Sequence, residues 1–400
     1  MNTELFIAWR YLKARRKGFF SVLTTLIAVG GITLGVAALI ITLAVMTGFH
    51  RDIREKILGI QPHIVVTKDQ QFPLYSYDAL SRQIAGTPDI IATAPFVYGQ
   101  IILRHKQNVV GAVIKGIDLD AEDRLVQLRK TFLGPGAVDL TARTIVIGEE
   151  LARTLGVRPG DDVILMSPGQ FTAIPKMYQF TVLKLFHSGM FEYDATLAFV
   201  PLLDAQELFG ITGGVSGIGV AVSDSDHAAD VAQRLQKDLS YPYMVRSWDR
   251  MNKNLFAALK LEKTMMFIIL TLIIVVAAFN IVSNLLLMTI EKSREMGILS
   301  AMGYDRGRIA RIFMFEGLML GISGIITGTV LGTGLSLILK KYQFIHLPPD
   351  VYYLDALPVR IVPGDISMIV VAALIITVAA AVYPAYQVMK LDPVEAIRYG

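Results

Sequence analysis

The chain has 400 residues, of which 53% are hydrophobic and 18% charged, and its formal net charge is +4 at pH 7. Soluble globular proteins carry about 25% charged residues, so this deficit indicates a lipid environment. The sequence has no cysteine, which excludes disulfides, thiolate catalysis and cysteine-based metal sites. It also lacks a basic stripe with interleaved aromatic residues, and we therefore expect no nucleic-acid partner.

The N-terminal part of the chain predicts a surface helix followed by a membrane span. Residues 1–19 mix apolar and basic side chains at helical spacing, and Trp9 and Tyr11 suit headgroup depth. We predict a cytoplasmic elbow helix here; a plain basic orientation signal is the alternative. The apolar stretch at 20–49 is about twice as long as the apolar region of a signal peptide. It is therefore predicted to remain as the first membrane anchor.

Between residues 50 and 263 the pattern changes to short alternating strands with a few helices, which predicts a water-soluble α+β domain. The length suits two packed subdomains, and 120–223 is predicted to form the second. The histidines here lack metal-ligand spacing, and no Gly-x-Ser-x-Gly elbow occurs. We therefore expect no catalytic residue and no metal site.

Three further apolar stretches are long enough to cross a membrane, at 264–290, 312–340 and 366–386. Basic residues are concentrated at the N-terminus and in the loop at 291–311, which the positive-inside rule places in the cytoplasm. The domain at 50–263 and the loop at 341–365 are then predicted to be periplasmic, and the tail at 387–400 cytoplasmic.

Few polar groups enter the predicted spans. Asn280, Ser283 and Asn284 share one face of the second span, and Glu316 lies near the cytoplasmic boundary, where it is either functional or simply solvated. The third span has glycines at intervals of about four residues, which favours close helix packing, and Gly31 and Gly35 in the first span suit either internal packing or a partner. No charged relay or broken helix indicates ion-coupled transport.

The loop after the second span begins with charged residues and predicts a short amphipathic helix that Gly303 ends. Met296, Ile298, Leu299 and Met302 are predicted to be exposed and to dock in a groove of another protein. The alternative is a helix that lies on the lipid headgroups. The chain has no Gly-x-x-x-x-Gly-Lys-Ser/Thr phosphate loop, so it does not hydrolyse ATP by that route.

Several segments resemble permeases of the FtsX/MacB-type ABC superfamily, and most closely the lipoprotein-releasing (Lol) permeases LolC and LolE. The resemblance covers essentially the whole chain. It is carried by the segments at 32–36, 46–49, 57–63, 278–283, 291–303 and 392–397. It implies a MacB-like, type VII exporter architecture: four membrane helices, with a large extracytoplasmic α+β domain between the first two.

The resemblance also implies a function and a set of partners. Such a permease lies in the bacterial inner membrane with both termini in the cytoplasm, and it pairs with a second permease of LolC or LolE type or with a copy of itself. A LolD-type ATPase dimer binds ATP and magnesium, so the permease itself is non-catalytic and carries no cofactor. The chain would extract lipoproteins from membrane lipid and pass them to a LolA-type chaperone, through mechanotransmission from the ATPase.

Three sets of residues correspond to functional parts of that family. A coupling helix that docks in the ATPase corresponds to Glu291, Arg294, Glu295, Met296, Gly297, Ile298, Leu299 and Gly303. A hook for the chaperone corresponds to Pro168, Gln170, Phe171, Thr172, Ile174 and Pro175, for which an ordinary hairpin is the alternative. A lipoprotein cavity corresponds to Leu43, Met46, Phe49, Met265, Phe267 and Ile268, which could equally face lipid.

Two other functions compete with lipoprotein release. A MacB-like permease would drive drug or peptide efflux with a periplasmic adaptor, although MacB carries its own ATPase domain and this sequence does not. An FtsX-like protein would signal across the membrane to cell-wall hydrolases, although FtsX has a much smaller outer domain.

Overall fold

The computed structural model describes residues 3–14, 19–69, 73–136, 138–167, 176–342 and 357–388. The chain forms two compact units, which we call the helical unit and the sheet unit. The helical unit comprises Met1–His50, Ala258–Phe344 and Leu357–Gly400, and the sheet unit comprises Arg51–Ala257 and Ile345–Ala356.

The described residues form 13 α-helices and 11 β-strands. In order they are α1 Thr3–Ala14, α2 Phe19–Leu58, β1 Ile64–Lys68, β2 Leu74–Tyr75, α3 Tyr77–Ala85, β3 Ile90–His105, β4 Asn108–Ile117, α4 Leu119–Val126, β5 Thr144–Gly148, α5 Glu149–Leu155, β6 Asp162–Ser167, β7 Lys176–Phe186, α6 Phe191–Thr196, β8 Leu197–Pro201, α7 Leu202–Phe209, β9 Gly214–Val215, β10 Gly217–Val222, α8 Ala228–Asp238, β11 Tyr243–Ser247, α9 Trp248–Met251, α10 Lys253–Glu291, α11 Ser293–Ala301, α12 Arg306–Tyr342 and α13 Pro363–Val388.

Among the residues that the structure describes, four helices are long and apolar enough to cross a membrane: α2, α10, α12 and α13. The predicted fold class, four membrane helices with a large α+β domain between the first two, is therefore confirmed. All four helices extend beyond the stretches that hydropathy indicated, and α2 and α10 extend the furthest. Helix α2 continues to Leu58 and α10 begins at Lys253, because charged residues end an apolar pattern without ending a helix.

Glycines in the helical unit are positions where helices of the same chain approach closely. A Cβ at Gly324, Gly328 or Gly332 of α12 would lie within 3.0 Å of α2 atoms, and one at Gly321 would lie 2.0 Å from the Thr377 side chain of α13. A Cβ at Gly31 of α2 would meet Ala277 of α10 at 3.3 Å. Gly31, like Gly35 with Ile274 of α10 at 3.1 Å, therefore packs within the chain, and a partner is not needed to explain either glycine.

The part of α2 around Gly48 is held by the segment that precedes α13. The Arg360 N–H donates to the Ala44 carbonyl oxygen at 2.9 Å. A Cβ at Gly48 would lie 2.4 Å from the carbonyl oxygen of Pro358, so only glycine leaves room for this approach. In the same region the Thr47 hydroxyl donates to the Asp365 carboxylate at 3.0 Å.

Glu316 is fully buried in the helical unit. The solvated alternative for this residue is therefore wrong. A buried ionisable side chain in a membrane span is a candidate functional residue, because burial in lipid is costly unless its interactions are specific.

In the described part of the sheet unit, the main sheet has nine strands in the order β11-β1-β10-β3-β4-β8-β5-β7-β6, and β6 pairs a second time with β3, while β2 and β9 form a separate two-stranded sheet. The additional pairing closes β3, β4, β8, β5, β7 and β6 into a ring of six strands. The other three strands extend the sheet from the first half of β3, which pairs with β10. Strand β3 therefore belongs to both parts.

The core of the sheet unit is built from the inward-facing positions of these strands. Phe180, Phe186 and Phe199 are fully buried, and the last two rings contact each other edge to face with centroids 5.1 Å apart. The predicted second subdomain, 120–223, contains β5 to β8, but these strands share the sheet with β4, and β10 pairs with β1. The sheet is thus continuous across both predicted boundaries.

One ion pair lies inside this core. The Lys115 ammonium donates to a Glu122 carboxylate oxygen at 2.5 Å, and both side chains are buried. Each charge compensates the desolvation of the other, so removal of one partner alone would leave a buried charge.

Candidate functional site

Helix α11 follows α10 closely and ends in a well-formed cap. Gly303 has a φ of +90°, and the Gly303 and Tyr304 N–H groups donate to the Ser300 and Leu299 carbonyls, both at 3.0 Å. These two bonds form a Schellman motif, which satisfies the last carbonyls of a helix. The Asp305 carboxylate then accepts the Gly307 N–H at 3.1 Å and caps the start of α12.

The apolar residues of α11 lie on two different sides of the helix. Met296 is only 5% exposed and packs with Ile309 and Phe313 of α12, so its predicted exposure is wrong. Ile298 and Met302 are 49% and 77% exposed, as predicted. One side of α11 is therefore anchored on α12, and the other is available to a partner.

Helix α1 lies against the same region. Arg311 of α12 lies 3.6 Å from the Glu4 carboxylate. A groove of about 350 Å³ separates α1 from α11. It is lined by Phe6, Ile7, Arg10, Glu295, Ile298 and Leu299. Sequence reasoning placed α1 at the headgroups and did not associate it with α11, since nothing in two separate amphipathic segments shows that they meet.

The eight predicted coupling residues thus differ in position. Glu295, Ile298 and Leu299 line the groove, Met296 faces α12 and Gly303 forms the cap. Gly297 lies in the second turn of the helix. The side chains of the remaining two, Glu291 and Arg294, lie outside the described part of the chain. The docking role of this segment stays a prediction.

The six predicted cavity residues do not share one surface of the helical unit. Leu43 is buried in a cluster with residues of α10, and Phe267 packs against the same cluster. Met46 is also buried, whereas Met265 and Ile268 are exposed. Phe49 is half-buried. A lipoprotein cavity at these positions stays a prediction.

The predicted hook, 168–175, lies outside the described residues, and only its base is described. The two strands that flank it, β6 and β7, are antiparallel, and Ser167 and Lys176 face each other at its ends. All six predicted hook residues fall within this segment.

Two polar clusters in the sheet unit were not found from sequence. The Gln61 amide donates to the Tyr193 hydroxyl at 2.6 Å and accepts from the Asn252 amide at 3.2 Å, and burial raises the pKa of Tyr193 to about 12. Asp194 is buried, which raises its pKa, and it accepts the Ser188 N–H at 2.8 Å. Gln61, Tyr193 and Asn252 are far apart in sequence, so no local motif could indicate the first of these clusters.

These clusters have no metal-binding geometry. Among the residues that the structure describes, no group of three histidine or carboxylate side chains could hold an ion.

Four membrane helices, with an α+β domain inserted after the first, define a class of permeases. Residues 25–238 match the MacB-like periplasmic core domain, and residues 267–393 match the FtsX-like permease C-terminal domain. The chain is an FtsX-like permease of the inner membrane with MacB-like architecture.

Full-length relatives narrow the class to one family. The chain is 36% identical over 408 residues to the lipoprotein-releasing system transmembrane protein LolC of Xylella fastidiosa strain 9a5c, with 98% of both chains covered. It is 33% identical to LolC of Neisseria meningitidis serogroup B, covering 100% of this chain and 99% of that one, and 29% identical to LolE of Haemophilus influenzae, covering 99% of each. The chain belongs to this LolC/LolE family of lipoprotein-releasing ABC permeases.

Proposed function

We propose that this chain extracts lipoproteins from the outer leaflet of the inner membrane and passes them to a LolA-type periplasmic chaperone. A separate LolD-type ATPase dimer binds ATP and magnesium and supplies the force, while this chain is non-catalytic and holds no cofactor. The observation that carries the proposal is the full-length similarity to proteins named for lipoprotein release. In this arrangement both termini and α11 face the cytoplasm, and the sheet unit faces the periplasm.

The chemistry of the cargo explains why force is required. A triacylated N-terminus carries about 45 methylene groups, and at about 0.8 kcal/mol each their transfer to water costs about 36 kcal/mol. A barrier of that size is not crossed on cellular timescales. Release therefore needs an apolar receiver next to the membrane and an energy source that acts through the protein.

The geometry of α11 suits the transfer of that force. The side that carries Ile298 and Met302 is exposed and can contact an ATPase, whereas the opposite side packs on α12 through Met296. A displacement of α11 therefore moves the beginning of α12, because Met296 packs between Ile309 and Phe313 in a small apolar cluster.

The function is tested by depletion of this protein from its host. We expect mature lipoproteins to accumulate in the inner-membrane fraction, measured by density-gradient separation and immunoblotting. Normal lipoprotein localisation after depletion would refute release as the function. Loss of drug or peptide efflux with normal lipoproteins would favour a MacB-like exporter, and a cell-wall defect alone would favour FtsX-like signalling.

The coupling role of α11 is tested separately. Ile298→Asp places a charge on its exposed apolar side and should abolish copurification of the LolD-type ATPase with the full-length chain. Leu203→Asp is the control, because it also replaces an exposed apolar side chain by a carboxylate. Leu203 is 77% exposed in α7 of the sheet unit, and its replacement should leave copurification of the ATPase intact. Equal ATPase recovery with both variants would contradict the role of α11.

A further inference from the structure

A chain of three polar side chains crosses the helical unit near the end of α2 that enters the sheet unit. The Lys263 ammonium of α10 donates to the Thr47 hydroxyl of α2 at 3.5 Å, and that hydroxyl donates to the Asp365 carboxylate of α13 at 3.0 Å. An ammonium group only donates and an ionised carboxylate only accepts, so the direction of both bonds is fixed. Thr47 therefore links α2 to two other helices at one depth.

The two sides of this polar chain differ in strength. Toward α13, α2 is also held by the backbone bond from Arg360 to Ala44 and by the close approach at Gly48. Toward α10, the bond from Lys263 is long for a hydrogen bond and comes from the end of a flexible side chain. A movement at this depth should therefore displace α10 against α2 more readily than α13.

His50 offers a second acceptor to the same ammonium. It follows Thr47 by three residues, so the two side chains lie on the same face of α2, about one helical turn apart. The His50 Nε2 atom is shielded from solvent, has no hydrogen-bond partner within the described ranges, and interacts electrostatically with Lys263. A buried polar atom without a partner is costly, and a neutral imidazole nitrogen can accept a hydrogen bond from lysine.

The packing of α2 on α10 deeper in the span suits a displacement of the same size. A Cβ at Gly31 would meet Ala277 at 3.3 Å, and one at Gly35 would meet the Ile274 side chain at 3.1 Å. The two helices are antiparallel, so a shift of α10 toward the sheet unit carries Ala277 from Gly31 to Gly35. Small residues one turn apart allow close packing in both positions.

We propose that α10 slides along α2 by one helical turn toward the sheet unit, and that Lys263 moves from Thr47 to His50 as it does so. The step measures roughly 4.5–6 Å, the rise of three to four residues in an α-helix. Packed helices favour discrete registers, because the side chains of one fill the spaces between those of the other. Lys263, Thr47 and His50 are positioning residues that define the two registers.

The slide gives a direction to the force that acts on α11. Helix α11 begins at Ser293, two residues after α10 ends at Glu291. A push on α11 from the cytoplasm therefore acts along α10, while the contacts at Ala44 and Gly48 keep α2 with the α13 side. The slide rests on the proposed function, in which a LolD-type ATPase acts on α11.

Disulfide cross-linking distinguishes the two registers, because the native chain has no cysteine. Gly31→Cys with Ala277→Cys reports the register of this structure, and Gly35→Cys with Ala277→Cys reports the shifted one. Gly30→Cys with Ala277→Cys is the matched control, since a Cβ at Gly30 would have no heavy atom within 4 Å. The full-length variants are reconstituted in nanodiscs with the LolD-type ATPase and oxidised with copper phenanthroline, without nucleotide or with ATP, magnesium and vanadate.

The disulfide-linked peptides are quantified by mass spectrometry of the monomer band from non-reducing gels. We expect the Gly31→Cys pair to cross-link without nucleotide. Trapping with vanadate should raise the yield of the Gly35→Cys pair at least about fivefold, as a shift between two registers requires. A yield of the Gly35→Cys pair no higher than that of the Gly30→Cys control in both conditions would overturn the proposal.

Substitution of His50 gives a second test that needs no cysteine. His50→Leu removes the second acceptor and should lower the transfer of lipoproteins to the chaperone about tenfold, because a hydrogen bond to a charged group stabilises the shifted register. His50→Gln should restore transfer, because its amide oxygen accepts a hydrogen bond. Equal transfer by the two variants would contradict the role of His50 as the second position of Lys263.

These measurements and the depletion experiment fail independently. If the Gly35→Cys pair never cross-links while depletion retains lipoproteins in the inner membrane, the slide is wrong and the proposed function stands. If nucleotide raises that cross-link but depletion leaves lipoproteins correctly localised, lipoprotein release is wrong and the slide stands.

Discussion

Replacement of Gly303 by alanine tests the link between the α11 cap and coupling. A Cβ at Gly303 would have no heavy atom within 4 Å, so alanine causes no clash, and the whole cost comes from its φ of +90°. An L-residue in a left-handed conformation costs roughly 1–2 kcal/mol. The equilibrium constant that favours the capped over the frayed end of α11 should therefore fall by about 5–30-fold. Binding of the LolD-type ATPase should weaken by up to that factor.

The measurement is the apparent Kd of the purified ATPase for the full-length chain in nanodiscs. Gly303→Asn should bind more tightly than Gly303→Ala, because asparagine tolerates positive φ better. Gly334→Ala is the control: its Cβ also has no heavy atom within 4 Å, and it lies inside α12, where alanine is favourable. Wild-type affinity for Gly303→Ala would refute the argument that this cap positions the docking helix.

Three further substitutions and one control substitution test the fold in the detergent-purified full-length chain. Lys115→Met leaves the Glu122 charge buried and should lower the free energy of unfolding by about 3–5 kcal/mol. Gly48→Ala brings a methyl group to 2.4 Å from a backbone oxygen and should cost about 1–3 kcal/mol, whereas Gly30→Ala, with no atom within 4 Å, should cost nothing. Burial lowers the pKa of His63 below 6.5 in the folded chain. As the pH drops through about 6.5, the unfolded chain therefore takes up a proton before the folded chain does, and the free energy of unfolding should fall. His63→Asn should reduce this dependence of stability on pH.

Each of these has a clear contrary outcome in thermal unfolding. An unchanged Tm for Lys115→Met would mean that the buried carboxylate is compensated in another way. Equal Tm values for the two α2 glycine variants would contradict the close approach at Gly48. A pH dependence that is identical in the wild type and His63→Asn would assign it to other groups.

Hydropathy was sufficient to predict the membrane helices, because a span must be apolar along its whole length. The sides of α11 were harder to predict. Met296 and Ile298 are both apolar, and only the position of α12 decides which of them is buried. The groove between α1 and α11 and the closure of β3 on β6 depend on contacts between distant segments, which local patterns do not contain.

Two of the segments that carried the family resemblance, 32–36 and 57–63, have identifiable structural roles. The Thr33 hydroxyl contacts that of Thr327 at 2.8 Å, joining α2 to α12, and a Cβ at Gly35 would lie 3.1 Å from the Ile274 side chain of α10. His63 accepts the Val222 N–H through Nδ1 at 3.0 Å. These residues therefore lie where helices and strands contact one another, which is why their motifs indicated the architecture.

Strand β3 has 16 residues and is roughly 50 Å long. Its first half is hydrogen-bonded to β10 and its second half to β4 and β6, the strand that leads into the segment at 168–175. A flexible linker between the two parts of the sheet unit would let each turn freely. Because both parts share β3, they must move together. A force applied at the end of the six-stranded ring next to residues 168–175 is therefore transmitted along the β3 backbone to β10.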